Sequence, residues 1–266
     1  MGDKVKVYES DWLFHMLMSV NTKKKPFDDE RVRRALSLAI DRWGGSAALR
    51  KVSSLGPVGG ALMPGGKWAA TEAEVVQWPG FGKNIEANRA EARRLLKEAG
   101  VENLTFTLSN RNIAPFVTVG IYMIDQWRQI GVKVQHKQHE TAGWFAARSS
   151  GDFDILVDSF VDVSTDPTTG LSKYLSAARG SQVATFAVDS TLDSLFDQQG
   201  RELDPVKRRQ LVREFEARAM AQAYAVPFLH MSRNVVLSSR VQGWTISPSQ
   251  MIYQDLGDLW LSPAKK

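Results

Sequence analysis

Helical spacing of apolar positions first emerges at Val32, Ala35, Leu36, Ala39 and Ile40, the i, i+3, i+4, i+7 pattern of one buried face. This predicts a helix from Asp28 or Asp29, just after Pro26, to about Ile40, with Asp28, Asp29 and Glu30 where the helix dipole favours negative charge. Arg31, Arg33, Arg34 and Arg42 then fall mostly on the wet side, a solvated basic face. From Trp43 to about Ile85 no period persists, and glycines and prolines interleave with Trp68, Trp78 and Phe81. An irregular stretch of that length reads as a binding loop or a strap over the core.

Regular patterning then returns. A helix is predicted from about Glu86 to Ala99, ended by Gly100, and a strand from Leu104 to Ser109. An amphipathic helix over Ala114 to Ile130, closed by Gly131, leads to a second strand over Val132 to Gln138. Strand, helix, strand at this spacing is a βαβ unit, so the two strands should be parallel. A short helix around Trp144 to Arg148 precedes a strand over Phe153 to Asp158, and two helices, about Ser190 to Arg201 and Asp204 to Tyr224, precede paired strand-like runs at Val226 to Met231 and Asn234 to Leu237. The class is α/β. Near the start, Tyr8, Trp12, Leu13, Phe14, Met16 and Leu17 already crowd together as in the middle of a fold, which hints at a fragment.

Composition narrows the chemistry. Hydrophobic residues are 43% of 266 and the net charge is only +5, a globular balance with mixed-sign charge rather than the basic stripe of a nucleic-acid module. The absence of cysteine removes disulfides, thiolate metal sites and thiol nucleophiles together. The longest near-apolar run, Ile113 to Ile124, is too short to span a bilayer.

No nucleophile elbow, zinc-protease or dinucleotide motif is present. The run Ala61 to Trp68 echoes a phosphate loop, but Ala61 replaces its first glycine and Trp68 its hydroxyl residue. His136, His139 and Glu140 are poor metal ligands, because strand positions three apart point to opposite faces. More informative are Asp152, Asp154, Asp158, Asp162 and Asp166, which surround a strand end and enter a loop closed by Asp166-Pro167. Ligands of open α/β sheets gather at such carboxyl ends, and Arg111 follows another strand in the corresponding place. An acid and a guanidinium there can clamp the two charges of a zwitterion; an Asp-Pro turn beside a surface arginine is the structural alternative.

Taken together, several segments resemble the family 5 extracellular solute-binding proteins, the peptide and nickel binding components of ABC importers. The run from Asn21 through Pro26-Phe27-Asp28-Asp29-Glu30-Arg31-Val32-Arg33-Arg34-Ala35-Leu36 to Asp41-Arg42 carries the signature. Ala90 to Gly100, Trp127 to Val132, Phe153-Asp154-Ile155, Asp166-Pro167 and Pro227-Phe228 follow in order. The resemblance implies a periplasmic binding protein type II-like lobe, a mixed sheet flanked by helices. Residues 1–25 would form the crossing from a missing N-terminal lobe, residues 26–225 the second ligand-binding lobe, and residues 226–266 the return crossing and tail. The crossings themselves would run over Leu17 to Lys25 and Val226 to Leu237.

In peptide-binding members a lobe-two aspartate, a few residues before an acidic residue plus proline, meets the ligand ammonium beside a tryptophan. Counting back from Asp166-Pro167, the tryptophan position holds Phe160 and the aspartate position holds Val163, with Asp162 one residue off. Arg111 takes the place of an arginine that can meet a ligand carboxylate, and Ile113 a position aromatic in some dipeptide binders. The expected ligand contacts are therefore Arg111, Asp162, Phe160 and Val163, with Trp68 and Trp78 as apolar walls. The expected activity is capture of a peptide-like or other small solute between two lobes in the periplasm and delivery to an ABC permease. Neither a cofactor nor a metal, and no nucleic-acid partner, is implied. The alternative from another class is an α/β enzyme that uses the Asp-rich strand end as an acid/base pair.

Overall fold

The computed structural model describes residues 4–180, 183–252 and 256–263. Residues 1–3, in the expected first crossing segment, 181–182, in the expected lobe, and 253–255 and 264–266, in the expected tail, lie outside the described residues.

The chain opens with a 16-residue strand, β1 (Val5–Val20), exposed along its first half and buried along its second. Four helices follow: α1 (Glu30–Leu38), α2 (Arg42–Leu49), α3 (Glu72–Val75) and α4 (Ile85–Glu98). The α/β portion then runs β2 (Thr105–Arg111), α5 (Ala114–Arg128), β3 (Lys133–His139), α6 (Thr141–Ser150) and β4 (Ile155–Val161). A short helix α7 (Pro167–Leu171) and two 3-10 turns lead to α8 (Ser190–Arg201), α9 (Pro205–Gln222) and a long strand β5 (Ala225–Ser238), with a small ribbon of β6 (Val241–Gln242) and β7 (Trp260–Leu261) after it.

The main sheet has the order β3-β2-β4-β1-β5. The parallel βαβ expectation holds: Thr105↔Lys133 through Arg111↔His139 pair in parallel, and β2 continues parallel onto β4. β1 lies antiparallel between β4 and β5, which makes the sheet mixed. The two runs expected at Val226 to Met231 and Asn234 to Leu237 are one continuous strand, and its partner is β1 rather than another part of itself. The register of β1 on β5 slips between Trp12 and His15 and again between Met16 and Leu17. Past this bulged region Val5 to Asp11 and Ser232 to Ser238 form an outer two-stranded ribbon, whereas Leu17, Met18 and Val20 are fully buried in the sheet.

Local capping explains the helices. The Asp29 carboxylate accepts from the Arg31 backbone N–H, so α1 starts where the acidic run predicts, and Val32, Ala35 and Leu36 are fully buried. Trp127, on α5, is fully buried and donates its Nε1 to the Leu36 carbonyl at 2.9 Å, while its ring meets Phe106 edge-on at 5.2 Å. This joins α1, α5 and β2 in one core.

Two expectations are corrected. The stretch from Trp43 to Ile85 contains α2 and α3; Asp41 caps α2 by accepting from Gly44 N–H at 2.8 Å. A Cβ on Gly45 would lie 2.9 Å from the Tyr122 ring, so the glycine that weakens the helix signal is needed for packing. Arg33 and Arg42 are not on a wet face. Arg33 donates to the carbonyls of Phe27, Asp28 and Gln222, each at 2.9 Å. Arg42, 1% exposed, donates to those of Ser37, Gly80 and Pro227 and lies over the Phe81 ring. Buried guanidinium groups here do the work of backbone capping.

Candidate functional site

A cavity of about 250 Å³ opens where β1, the end of β4 and the loop over Leu62–Ala69 converge. Asp11 and Leu13 line it from β1, Asp162 and Ser164 to Asp166 from the segment after β4, Met63 to Trp68 from the loop, and Pro248 from the far side.

The loop has no secondary structure of its own to hold it, and α9 supplies the hold. Arg213 donates to the Trp68 carbonyl at 2.6 Å and to the Ala69 carbonyl, and Arg209 donates to the Lys67 carbonyl at 2.8 Å. Glu216, fully buried, accepts from Ala61 N–H at 3.0 Å and from Arg213 at 3.0 Å. Burial pushes the Glu216 carboxyl up to about 7, against the lowering pull of Arg213. A Cβ on Gly60 would fall 2.4 Å from its Oε1, so this close approach requires glycine. Above the loop, the Arg208 guanidinium lies 4.9 Å from the Trp68 ring centroid and bonds Asp166 at 2.9 Å, which fixes the indole against the Asp-Pro turn.

Asp162 follows directly on β4. Its N–H donates to the Leu13 carbonyl at 2.7 Å, its side chain is 9% exposed, and its Oδ1 has no hydrogen-bond partner. Burial pushes the carboxyl up to about 7, and the Asp166 charge adds to the rise. A buried acceptor without a donor is costly, by about 1–3 kcal/mol, unless something completes it. Asp166 is satisfied instead, capping α7 through Thr168 N–H and pairing with Arg208.

Of the residues expected from sequence, Asp162 and Trp68 meet in this cavity. The rest lie elsewhere. Phe160, 7% exposed, faces His15 in the core, and Trp78, 8% exposed, packs edge-on against Phe81. Neither ring lines the cavity, because packing against His15 and Phe81 holds them in the core. Val163 is 41% exposed, outside the cavity lining, and its carbonyl accepts from Ser249 Oγ. Arg111 is the last residue of β2 rather than part of a following loop. Its guanidinium lies over Phe116 and Phe145 and bonds Thr141 Oγ1 at 3.1 Å. In register β2 meets β4 at Ser109↔Leu156, so Arg111 falls about four residues, roughly 13 Å, short of Asp162 along the sheet. Sequence reasoning missed Asp11 as a neighbour of Asp162; the pairing of β1 beside β4 that brings it there leaves no local signal.

Beneath the cavity, His230 Nε2 lies 3.0 Å from the Gly60 carbonyl and His15 Nε2 lies 3.0 Å from Tyr174 Oη, with the two imidazoles 5.0 Å apart. Burial holds His230 down to about 4 and His15 well below its ordinary value. His136 and His139 bond Asn110 and Ser109 respectively. Among the described residues no group of three or more His, Cys, Asp or Glu is arranged to hold a metal ion, and no helix is long and apolar enough to cross a membrane.

Residues 2–182 match the sequence model of the bacterial extracellular solute-binding proteins, family 5 Middle. The chain is 26% identical over 239 residues to a dipeptide-binding protein of Pseudomonas aeruginosa, covering 87% of this chain and 43% of that protein. It is 26% identical over 245 residues to the periplasmic oligopeptide-binding protein OppA of Escherichia coli, covering 90% and 44%. The fold is similar to that of a dipeptide binding protein from Pseudoalteromonas sp. SM9913 solved with Met-Leu, with a TM-score of 0.81, 21% identity, and coverage of 98% of this chain and 50% of that one. The chain thus spans less than half the length of these curated relatives.

Proposed function

This chain belongs to the bacterial extracellular solute-binding proteins of family 5, and from that premise we propose that it forms one ligand-binding lobe of a periplasmic component that captures a peptide-like solute for an ABC permease. The reading rests on one observation above the others: Asp162, nine-tenths buried, presents a carboxyl with an unpartnered oxygen in a cavity walled by Trp68. A ligand ammonium completes that oxygen and favours its ionised form, while the indole covers the apolar part of the solute. The relatives named for dipeptides and oligopeptides support the choice of an ammonium-bearing peptide.

The outer ribbon of β1 and β5 is the route to a partner lobe in this proposal, and residues 26–225 are the lobe itself. Rotation about the ribbon, close to the register slips at Trp12/His15, brings the second wall of the cleft over the cavity. Arg111, at the carboxyl end of a neighbouring strand, is then available to an extended solute or to the facing lobe. The solute leaves chemically unaltered.

Titrating the chain with Ala-Ala and with N-acetyl-Ala-Ala, followed by tryptophan fluorescence, tests the reading. Ala-Ala binding that is lost on acetylation and on Asp162→Asn is expected. Equal binding of the acetylated peptide overturns it, and recovery of hydrolysed peptide favours the enzyme.

A further inference from the structure

Asp162 is not the only free acid of the cavity. Its N–H donates to the Leu13 carbonyl just past the last β1–β4 pair, Phe14↔Val161, where β1 bulges and the Leu13 N–H turns to the Pro248 carbonyl. Asp11, two residues before Leu13, reaches the same cavity. Asp11 and Asp162 both line the cavity.

Neither carboxyl has a partner of opposite charge among the described residues. Asp162 Oδ1 has no partner, and among the described residues the Asp11 carboxylate makes no hydrogen bond or ion pair. Asp166, the third acid of the lining, is already taken by Arg208 and by the Thr168 N–H. The cation of the lining is Lys67, whose ammonium rests 5.0 Å from the Trp68 ring centroid with no carboxylate beside it among the described residues. The unsatisfied set is thus two acids and one base. A peptide with a basic first residue has the complementary set: an α-ammonium, a cationic side chain and a carboxylate. In an extended lysine the two nitrogens are six bonds and roughly 7 Å apart, a span that one cavity of about 250 Å³ holds.

We propose that Asp11 and Asp162 form a paired-acid subsite that selects solutes carrying two cationic groups, the α-ammonium at Asp162 and a basic side chain at Asp11. This rests on the cavity being the solute site, and it adds a determinant on β1 that shares the cavity lining with Asp162. Because Asp11 is exposed, its pair with a ligand is worth only the energy of a surface ion pair, about 1.5-fold to fivefold in affinity.

The probes are L-lysine amide and L-norleucine amide, which share the α-ammonium and differ in the side-chain cation. Tryptophan fluorescence titrations of the 266-residue chain at low ionic strength give their affinity ratio. A preference of about 1.5-fold to fivefold for lysine amide, falling to a ratio near one in Asp11→Asn, is expected. A ratio of one in the unaltered protein, or a preference that survives Asp11→Asn, overturns the paired-acid subsite while leaving the solute site standing. Norleucine amide binding that survives Asp162→Asn overturns the solute site and this inference with it. Thermal melting of each variant checks that it is folded.

Discussion

Gly170 on α7 stands so close to Asp162 that a Cβ built on it would lie 2.6 Å from the carboxylate Oδ2. The acid that meets the solute is therefore positioned by the absence of a side chain one helix away. Gly170→Ala is expected to swing the Asp162 carboxylate aside and weaken Ala-Ala binding by about tenfold, the cost of one charge-assisted hydrogen bond. Helix propensity offsets part of the packing cost, so the melting temperature should move little; fluorescence titration beside a thermal melt separates the two effects.

The raised pKa of Asp162 sets the sign of a pH dependence. Folding favours its protonated form, so its contribution to stability is fully present below its ordinary value of 3.8 and is lost as pH rises through about 7. Asp162→Asn should accordingly melt above the unaltered protein at pH 8, with the difference closing by pH 4. Glu216 titrates over a similar range but is present in both proteins and cancels in the comparison. Ala-Ala affinity should rise from pH 6 to pH 8 as the carboxyl ionises.

His230 gives the opposite slope. Its Nε2 donates to the Gly60 carbonyl, and burial holds the ring neutral down to about 4. The stability this provides is present above 6.5 and is lost as pH falls through about 4, because the unfolded chain takes up the proton first. The difference in urea midpoint between the unaltered protein and His230→Gln should shrink between pH 7 and pH 4. A difference that holds constant to pH 4 would place the ring outside the buried pair with His15.

Arg213 holds the Trp68 and Ala69 carbonyls and neutralises Glu216. Arg213→Met removes those donors and leaves a buried carboxyl unpaired, an expected loss of about 3–5 kcal/mol. Arg213→Met combined with Glu216→Gln should recover part of that in urea unfolding. It should not restore Ala-Ala affinity, because the loop carbonyls stay untethered.

Local signals were readable in the sequence wherever a cap or a period was self-contained. Asp29, Val32, Ala35 and Leu36 mark α1, and Leu104 to Gln138 reads directly as a parallel βαβ unit. The family, too, was legible from motifs in order. What could not be read depends on distant partners. β1 owes its length to β5, and α2 is hidden by Gly44 and Gly45, the second of which makes room for Tyr122. At the site, Asp162 was legible from the Asp-Pro turn after a strand. Asp11 was not, since only the pairing of β1 beside β4 brings it there, and Phe160 and Trp78 were drawn into the core by packing that residue type alone does not reveal.

The position of β1 bears on the order in which the lobe assembles. His15 pairs with Phe160 on one side and with His230 on the other, so an interior strand drawn from the first tenth of the sequence is completed by residues more than 200 positions later. Contacts of such long range form late and slowly. Until Ala225 to Ser238 has left the ribosome, one edge of β1 has no ladder partner in the sheet, and a nascent chain halted before that point offers this edge to other strands. Final closure of the sheet is thereby tied to synthesis of the last fifth of the sequence.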